Sequence, residues 1–334
     1  MQRDLSIPSR RLRPLLLLGV AAWLSLATGC AAFLTAKGEV REPKAPAVQI
    51  GIGRDPGDLH VDAEHVFWLN DRTDLMMVSK TGGTIRRLAF TEDDLRPSLT
   101  ILGSDGADVF WLLGTAPSKH SAPNDIVFHT GIASGVAQPV TLPDGWNSAS
   151  VGWDHTDFFG FRDPMGAYER MPKLGGATTP VFEMQGNTRS GLMFSGDSIY
   201  YRREYTAVDS EIFAVPKSGG ASKSLARGEI VDFTVGDGVV AWIDHEKRTI
   251  HTLVIATGVR SDIKTFGTGI KCLTASGGRI YWGEDFLYSV EVAGSGGGAQ
   301  VPTFYAGRAI EAAVDDGFVF WLEAEGAVMK RAIR

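Results

Sequence analysis

Four stretches of the chain, HVFWLND (65–71), DVFWLLG (108–114), RIYWGED (279–285) and GFVFWLEAE (317–325), are apolar on consecutive positions and then stop on polar residues. Unbroken apolar positions, as opposed to alternating ones, predict a strand buried on both faces. Each run follows a short strand and a tight Asp/Gly turn. Seven copies of this pair occur, anchored on Trp68, Trp111, Phe159, Tyr201, Trp242, Trp282 and Trp321, at spacings of 43, 48, 42, 41, 40 and 39 residues. After each of the first six comes a third strand, such as EIFAVPK, then a Gly-rich turn and a fourth strand, such as ASKSLA.

Four short strands in a unit of roughly 40 residues predict the blade of a β-propeller. The strands are labelled a to d from the axis outward. The fourth strand carries Pro139, Pro180 and Pro302, which suits an outer edge because proline donates nothing to a ladder. The seventh unit ends one strand short, and APAVQIGIG (45–53) is the natural donor of the missing one. The expected fold is all-β: a seven-bladed propeller of four antiparallel strands per blade, its last blade closed by the N-terminal strand. A six-bladed alternative stays open because blade three lacks the Trp and the preceding spacing is irregular. The blades resemble those of bacterial lipoproteins with VYW repeats and are similar to YWTD-type and NHL-type propellers. The resemblance rests on the aromatic strands and on the PKLGG and PKSGG turns at 172–176 and 216–220, although no copy reads YWTD.

The first residues carry a different pattern. RDLSIPSRRLRP is basic, LLLLGVAAWLSL is apolar and too short for the ~20 residues of a spanning helix, and LATGC ends on small residues and Cys30. LATGC resembles the lipobox of bacterial lipoproteins, which implies a signal peptide over 1–29 and lipidation of Cys30. Residues 30–45 then read as a tether and 46–334 as the propeller. Ala31 is not the Asp associated with inner-membrane retention, so the resemblance implies export to the outer membrane of a Gram-negative bacterium. With Cys30 acylated, Cys272 has no intramolecular partner and reads as a buried small hydrophobe.

Charge narrows the function. Removing residues 1–29 deletes Arg3, Arg10, Arg11, Arg13 and Asp4 and takes the formal net charge from −6 to −9. A chain this acidic with no basic stripe repels phosphate backbones, so no nucleic-acid partner is expected. No zincin helix, nucleophile elbow, EF-hand loop or zinc spacing is present in the sequence. Asp62, Asp105, Asp154, Asp197, Asp237 and Asp315 recur in the a–b turns and read as turn caps.

Function is therefore sought where the repeat breaks its pattern, in the b–c and d–a loops of blades two to four. His120, Trp146, Arg162, Arg202 and Tyr205 form the candidate contact set, because aromatic residues with Arg are the composition of interaction hot spots. The expected role is a binding or protein-interaction scaffold in the cell envelope, with an envelope protein or glycan as partner and no cofactor. The alternative is a metal-dependent lyase or hydrolase at the channel mouth, where Asp58, Asn147 and Glu229 would offer oxygen ligands to Ca2+ or Mg2+. A surface lipoprotein with no specific ligand is the third reading. Catalytic residues are unknown.

Overall fold

A computed structural model describes residues 45–90, 98–114, 126–162, 166–184, 192–244, 248–265, 269–284, 286–292, 303–305, 308–315 and 317–333. Cys30, His120 and Pro302, with the expected signal peptide and nearly all of the tether, lie outside them. The side chain of Asn147 is likewise outside.

Seven antiparallel sheets of four strands each make a seven-bladed β-propeller, and the described residues contain no helix. Strands a to d are, in blade one, Gly57–Val61, His65–Asn70, Asp74–Ser79 and Arg86–Phe90, and in blade two, Ser98–Ser104, Asp108–Gly114, Ile126–Gly131 and Ala137–Val140. Blade three has Trp146–Trp153, Asp157–Arg162, Ala167–Pro172 and Thr179–Glu183. Blade four has Met193–Ser195, Ser198–Thr206, Asp209–Pro216 and Lys223–Gly228. Blade five has Asp232–Gly236, Val239–Ile243, Thr249–Val254 and Arg260–Lys264, and blade six Cys272–Ser276, Arg279–Gly283, Leu287–Glu291 and Thr303–Tyr305. Blade seven takes Ala309–Val314, Phe318–Glu323 and Ala327–Ala332 from the end of the chain and its outer strand, Val48–Ile52, from the beginning.

That last pairing closes the ring, with Val48 opposite Lys330 and Ile52 opposite Ala327. Gly53 N donates to Gly326 O at 2.7 Å and Arg331 Nε to Ala45 O at 2.6 Å, so the two ends are held on both sides of the strand. The six-bladed alternative is excluded. Blade three completes its sheet with Phe159 in place of Trp, and Phe159 is fully buried.

The core is a ring of seven clusters, each between two neighbouring blades. Phe67 and Leu69 of blade one pack on Val109 and Trp111 of blade two, while Val66 and Trp68 turn the other way onto Phe320 and Leu322 of blade seven. Alternate side chains of one strand b therefore serve two different interfaces, which is why its apolar positions run without a break. Three indole N–H groups are matched inside this core: Trp111 Nε1 donates to Thr130 Oγ1 at 2.9 Å, Trp282 Nε1 to Glu284 Oε1 at 3.0 Å, and Trp321 Nε1 to Glu323 Oε1 at 3.1 Å. Pro139 and Pro180 lie on outer strands d as the sequence predicts.

Candidate functional sites

The b–c ends of blades three and four carry four of the five expected contact residues. Trp146 is not in a loop; it opens strand a of blade three, opposite Arg162. The correction has a steric cause. A Cβ on Gly160 would stand 2.1 Å from the Trp146 ring, so glycine at 160 makes the space that lets the indole lie across strand b. Trp146 Nε1 donates to Glu169 Oε2 at 3.0 Å, and Arg162 Nε and Nη2 reach the same oxygen at 2.9 and 2.7 Å. Burial pushes the Glu169 carboxyl up, but these donors outweigh it and hold the group below the usual carboxylate range. Trp146, Glu169 and Arg162 are thus one locked cluster.

Arg202 and Tyr205 also belong to a strand, the long strand b of blade four, whose hairpin turns at Ala207 and Val208. Arg202 is drawn inward. Its Nη1 donates to the carbonyls of Ile230 and Val231 and its Nη2 to Glu204 Oε1 at 2.7 Å, tying blade four to the entry of blade five. Tyr205 remains 40% exposed, yet it is held on three sides. Its hydroxyl donates to Glu211 Oε2 at 2.6 Å, and the guanidinium groups of Arg203 and Arg227 lie 4.9 and 4.7 Å from its ring centroid. Arg227 is itself braced by Asp209 through bonds of 3.1 and 2.7 Å. Arg203 and Arg227 escaped sequence reasoning; cross-strand pairing of 203 with 211, and of 211 with 227, is what brings them together.

At the channel mouth, the side chains of Asp58 and Glu229 are among those described. Asp58 sits near the start of strand a of blade one and Glu229 is an exposed turn residue between blades four and five. The side chain brought against Asp58 is Glu311, at the matching position of blade seven. The Glu311 carboxylate accepts the amides of Leu59 and Asp58, and Asp58 Oδ2 accepts the amide of Ile101 at 3.1 Å. Each carboxylate therefore binds the axis-facing edge of the next blade's inner strand, where amides have no fifth strand to pair with. Burial, with the nearby Asp58 charge, pushes Glu311 up to about 7, and burial raises Asp58 as well. Among the described residues no three His, Cys, Asp or Glu side chains converge as metal ligands. Cys272 is half-buried, where the sequence predicts a buried residue, and desolvation pushes its thiol up to about 12.

On the opposite end, Asp237 Oδ2 accepts the amide of Gly277 in the next blade, while four other a–b turn aspartates cap their own turns as expected: Asp154 Oδ1 accepts the amides of Thr156 and Asp157 at 3.1 and 2.9 Å, and Asp62, Asp105 and Asp315 do likewise. The second oxygen does something the sequence reading missed. It reaches the next blade, where the lysine after strand c binds it: Lys80 to Asp315 at 2.5 Å, Lys217 to Asp154 at 2.7 Å, and Lys173 to Asp105. The lysine of each PKxGG turn is an inter-blade clamp. Where blade two has no such lysine, Ser104 Oγ donates to Asp62 Oδ2 at 2.9 Å instead.

Beside these clamps lies a cleft of about 360 Å3 over the inner strands of blades one to four, lined in part by His60, Gly103, Trp153, His155, Phe194 and Lys217. Trp153 is 6% exposed. Its Nε1 and the Nε2 of His60 are shielded from solvent with no hydrogen-bond partner among the described residues. Burial drives the His60 ring down to about 4, so it is neutral at physiological pH. His155 has φ +80°, a left-handed backbone unusual for a residue with a Cβ, and its Nδ1 lies 3.0 Å from Ser104 O. The signal in the sequence was Trp153 itself: other blades place Val, Ser or Gly just before the a–b turn, as at Val61, Ser104 and Gly236.

No protein-family profile matches the sequence, and no curated protein matches it either. Solved structures do. A chain in the structure described as YCF48 bound to D1 peptide is similar with a TM-score of 0.62 at 11% identity, covering 88% of this chain and 98% of that one. A chain of the mitotic checkpoint complex gives 0.58 at 14%, covering 100% and 98%. The computationally designed Ika8 protein gives 0.52 at 13%, covering 89% and 100%. The likeness is one of fold.

Proposed function

We propose that this chain is an exported, lipid-anchored propeller that serves the cell envelope as a protein-binding scaffold, with its contact surface at the b–c ends of blades three and four. The observation that carries the reading is Tyr205, exposed yet fixed by Glu211 and by two guanidinium groups. An aromatic ring held in place before contact loses little conformational freedom on binding, and Tyr with Arg is the composition of binding hot spots. The neighbouring Trp146–Glu169–Arg162 cluster extends the same surface with side chains equally restrained. The lipid anchor at Cys30 follows from the resemblance of LATGC to a lipobox, and it fits the acidic, disulfide-poor mature chain. That a solved structure of similar fold holds a D1 peptide, and another is part of the mitotic checkpoint complex, is in keeping with a platform for protein partners. The alternative of a metal-dependent enzyme draws no comparable support, since the Asp58 carboxylate is engaged by the Ile101 amide beside Glu311.

A photo-crosslinking residue placed at 205 in intact cells tests the surface. Discrete protein adducts are expected from 205 and not from Leu174, an exposed residue on the c–d turn of blade three, at the opposite end. Equal adducts from both positions, or none from 205, would remove the assignment.

A further inference from the structure

Around Tyr205 the charged side chains pair off within the protein, with one exception. Arg202 bonds Glu204 at 2.7 Å, and Arg227 bonds Asp209 through two contacts. Glu211 accepts the Tyr205 hydroxyl at 2.6 Å and the Ser224 hydroxyl as well. Arg203 is the exception. It is half-buried, with its guanidinium 4.9 Å from the Tyr205 ring centroid, and it makes no hydrogen bond or ion pair among the described residues. Its cross-strand neighbour Glu211 acts on it only from beyond ion-pair distance and is already bound by two hydroxyls. Arg203 Nε is shielded from solvent; the two terminal nitrogens are not. The open part of the side chain is therefore the end of the fork.

A guanidinium stacked on an aromatic ring keeps its N–H edge for a planar, two-oxygen acceptor, and the stacking holds the fork in place before contact. Arg202, Arg203 and Arg227 are balanced in charge by Glu204, Asp209 and Glu211, so this surface is no general attractor of anions. What it offers is one fork with unmet donors. Val208, at the tip of the same hairpin and 50% exposed, adds an apolar contact beside it. We propose that the partner docks an aspartate or glutamate side chain on the terminal nitrogens of Arg203, with an apolar neighbour of that residue against Val208. The inference rests on the Tyr205 surface proposed above and names the chemistry that this surface selects.

Two peptides, acetylated and amidated at their ends, test it: Gly-Leu-Glu-Leu-Gly and Gly-Leu-Gln-Leu-Gly, each titrated to about 10 mM against the full chain. NMR follows the Val208 methyl groups and the Arg203 side-chain N–H. The Glu peptide is expected to shift both signals and to bind at least about fivefold more tightly than the Gln peptide. Arg203→Gln should abolish this preference. Glu211→Gln keeps an acceptor for the Tyr205 hydroxyl but removes the carboxylate beside Arg203. It should tighten the Glu peptide about twofold or more and leave the Gln peptide unchanged, a gain that a misfolded variant would not give. Equal affinity for the two peptides, a preference that survives Arg203→Gln, no gain in Glu211→Gln, or no shift with either peptide would overturn the inference. Crosslinking at 205 is read separately: adducts there without a carboxylate preference would keep the surface and remove this occupant.

Discussion

Lys217 of blade four holds Asp154 of blade three at 2.7 Å, with the carboxylate side chain only 4% exposed and its other oxygen capping the turn that begins blade three's strand b. One carboxylate thus fixes a turn and joins two repeats. The same relation links blade seven to one and blade two to three, where Lys80 and Lys173 take the place of Lys217.

Replacing Lys217 by Met leaves a buried carboxylate without its cation and is expected to cost about 1–3 kcal/mol, read by urea unfolding at pH 7. The pH dependence has a definite sign. Although burial raises Asp154, the Lys217 bond and the turn amides lower it more, so its folded-state value lies below 3.8. The unfolded state then binds the proton first, and the stability present above about pH 4 is lost as pH falls through the folded value. In Lys217→Met this acid-labile part of the stability should shrink.

Glu311 acts in the other direction. Its folded-state value of about 7 lies above the ordinary 4.5, so between these values the folded protein keeps a proton that the unfolded chain has released. Stability should fall as pH rises from 4.5 to 7 and then level off. Glu311→Gln can still accept the Leu59 and Asp58 amides and donates to Asp58, so it should flatten this slope and gain on the order of 1–3 kcal/mol at pH 8. Paired denaturation curves across pH 4–8 check both the slope and its removal.

Ring closure has its own weak point at Gly326, which has φ +100° and approaches Gly53 so closely that a Cβ would lie 2.0 Å from the Gly53 carbonyl oxygen. Gly326→Ala should detach the N-terminal strand from blade seven and cost about 2–4 kcal/mol. Hydrogen exchange should show Val48–Ile52 losing protection first; unchanged protection there would mean that closure does not depend on this contact.

Cys272, with its thiol at about 12, should not react with a thiol reagent at pH 8 in the folded protein and should react on unfolding, tested in a Cys30→Ser background. The anchor is read separately: Cys30→Ala should move the protein from the membrane fraction to the soluble one, and retention on membranes would defeat the lipobox reading.

The blades could be read from sequence because strand b is buried on both sides, and a two-sided burial leaves an unbroken apolar run that counts itself out along the chain. Closure was legible for the same reason: a seventh unit without a fourth strand and a spare strand before the first unit. The clamps were not. Lys173 and Asp105 are 68 positions apart, and nothing local distinguishes a lysine that reaches the next repeat from one in solvent. Trp146 looked like a loop residue because PDGWN is turn-rich; its place in a strand depends on Gly160 across the sheet. Glu311 was passed over since AIEAAV gives no hint that its carboxylate meets Asp58 of another blade. The sequence shows what each unit is made of, whereas the site depends on which units become neighbours.

Tyr205 is the proposed anchor of the contact surface. Once the crosslinked partner is purified, its affinity for the parent protein and for Tyr205→Ala should be compared by calorimetry, with melting temperatures measured alongside. A loss of tenfold or more with an unchanged melting temperature is expected, since hot-spot truncations cost about 2 kcal/mol or more. An affinity within twofold of the parent would contradict the proposed surface.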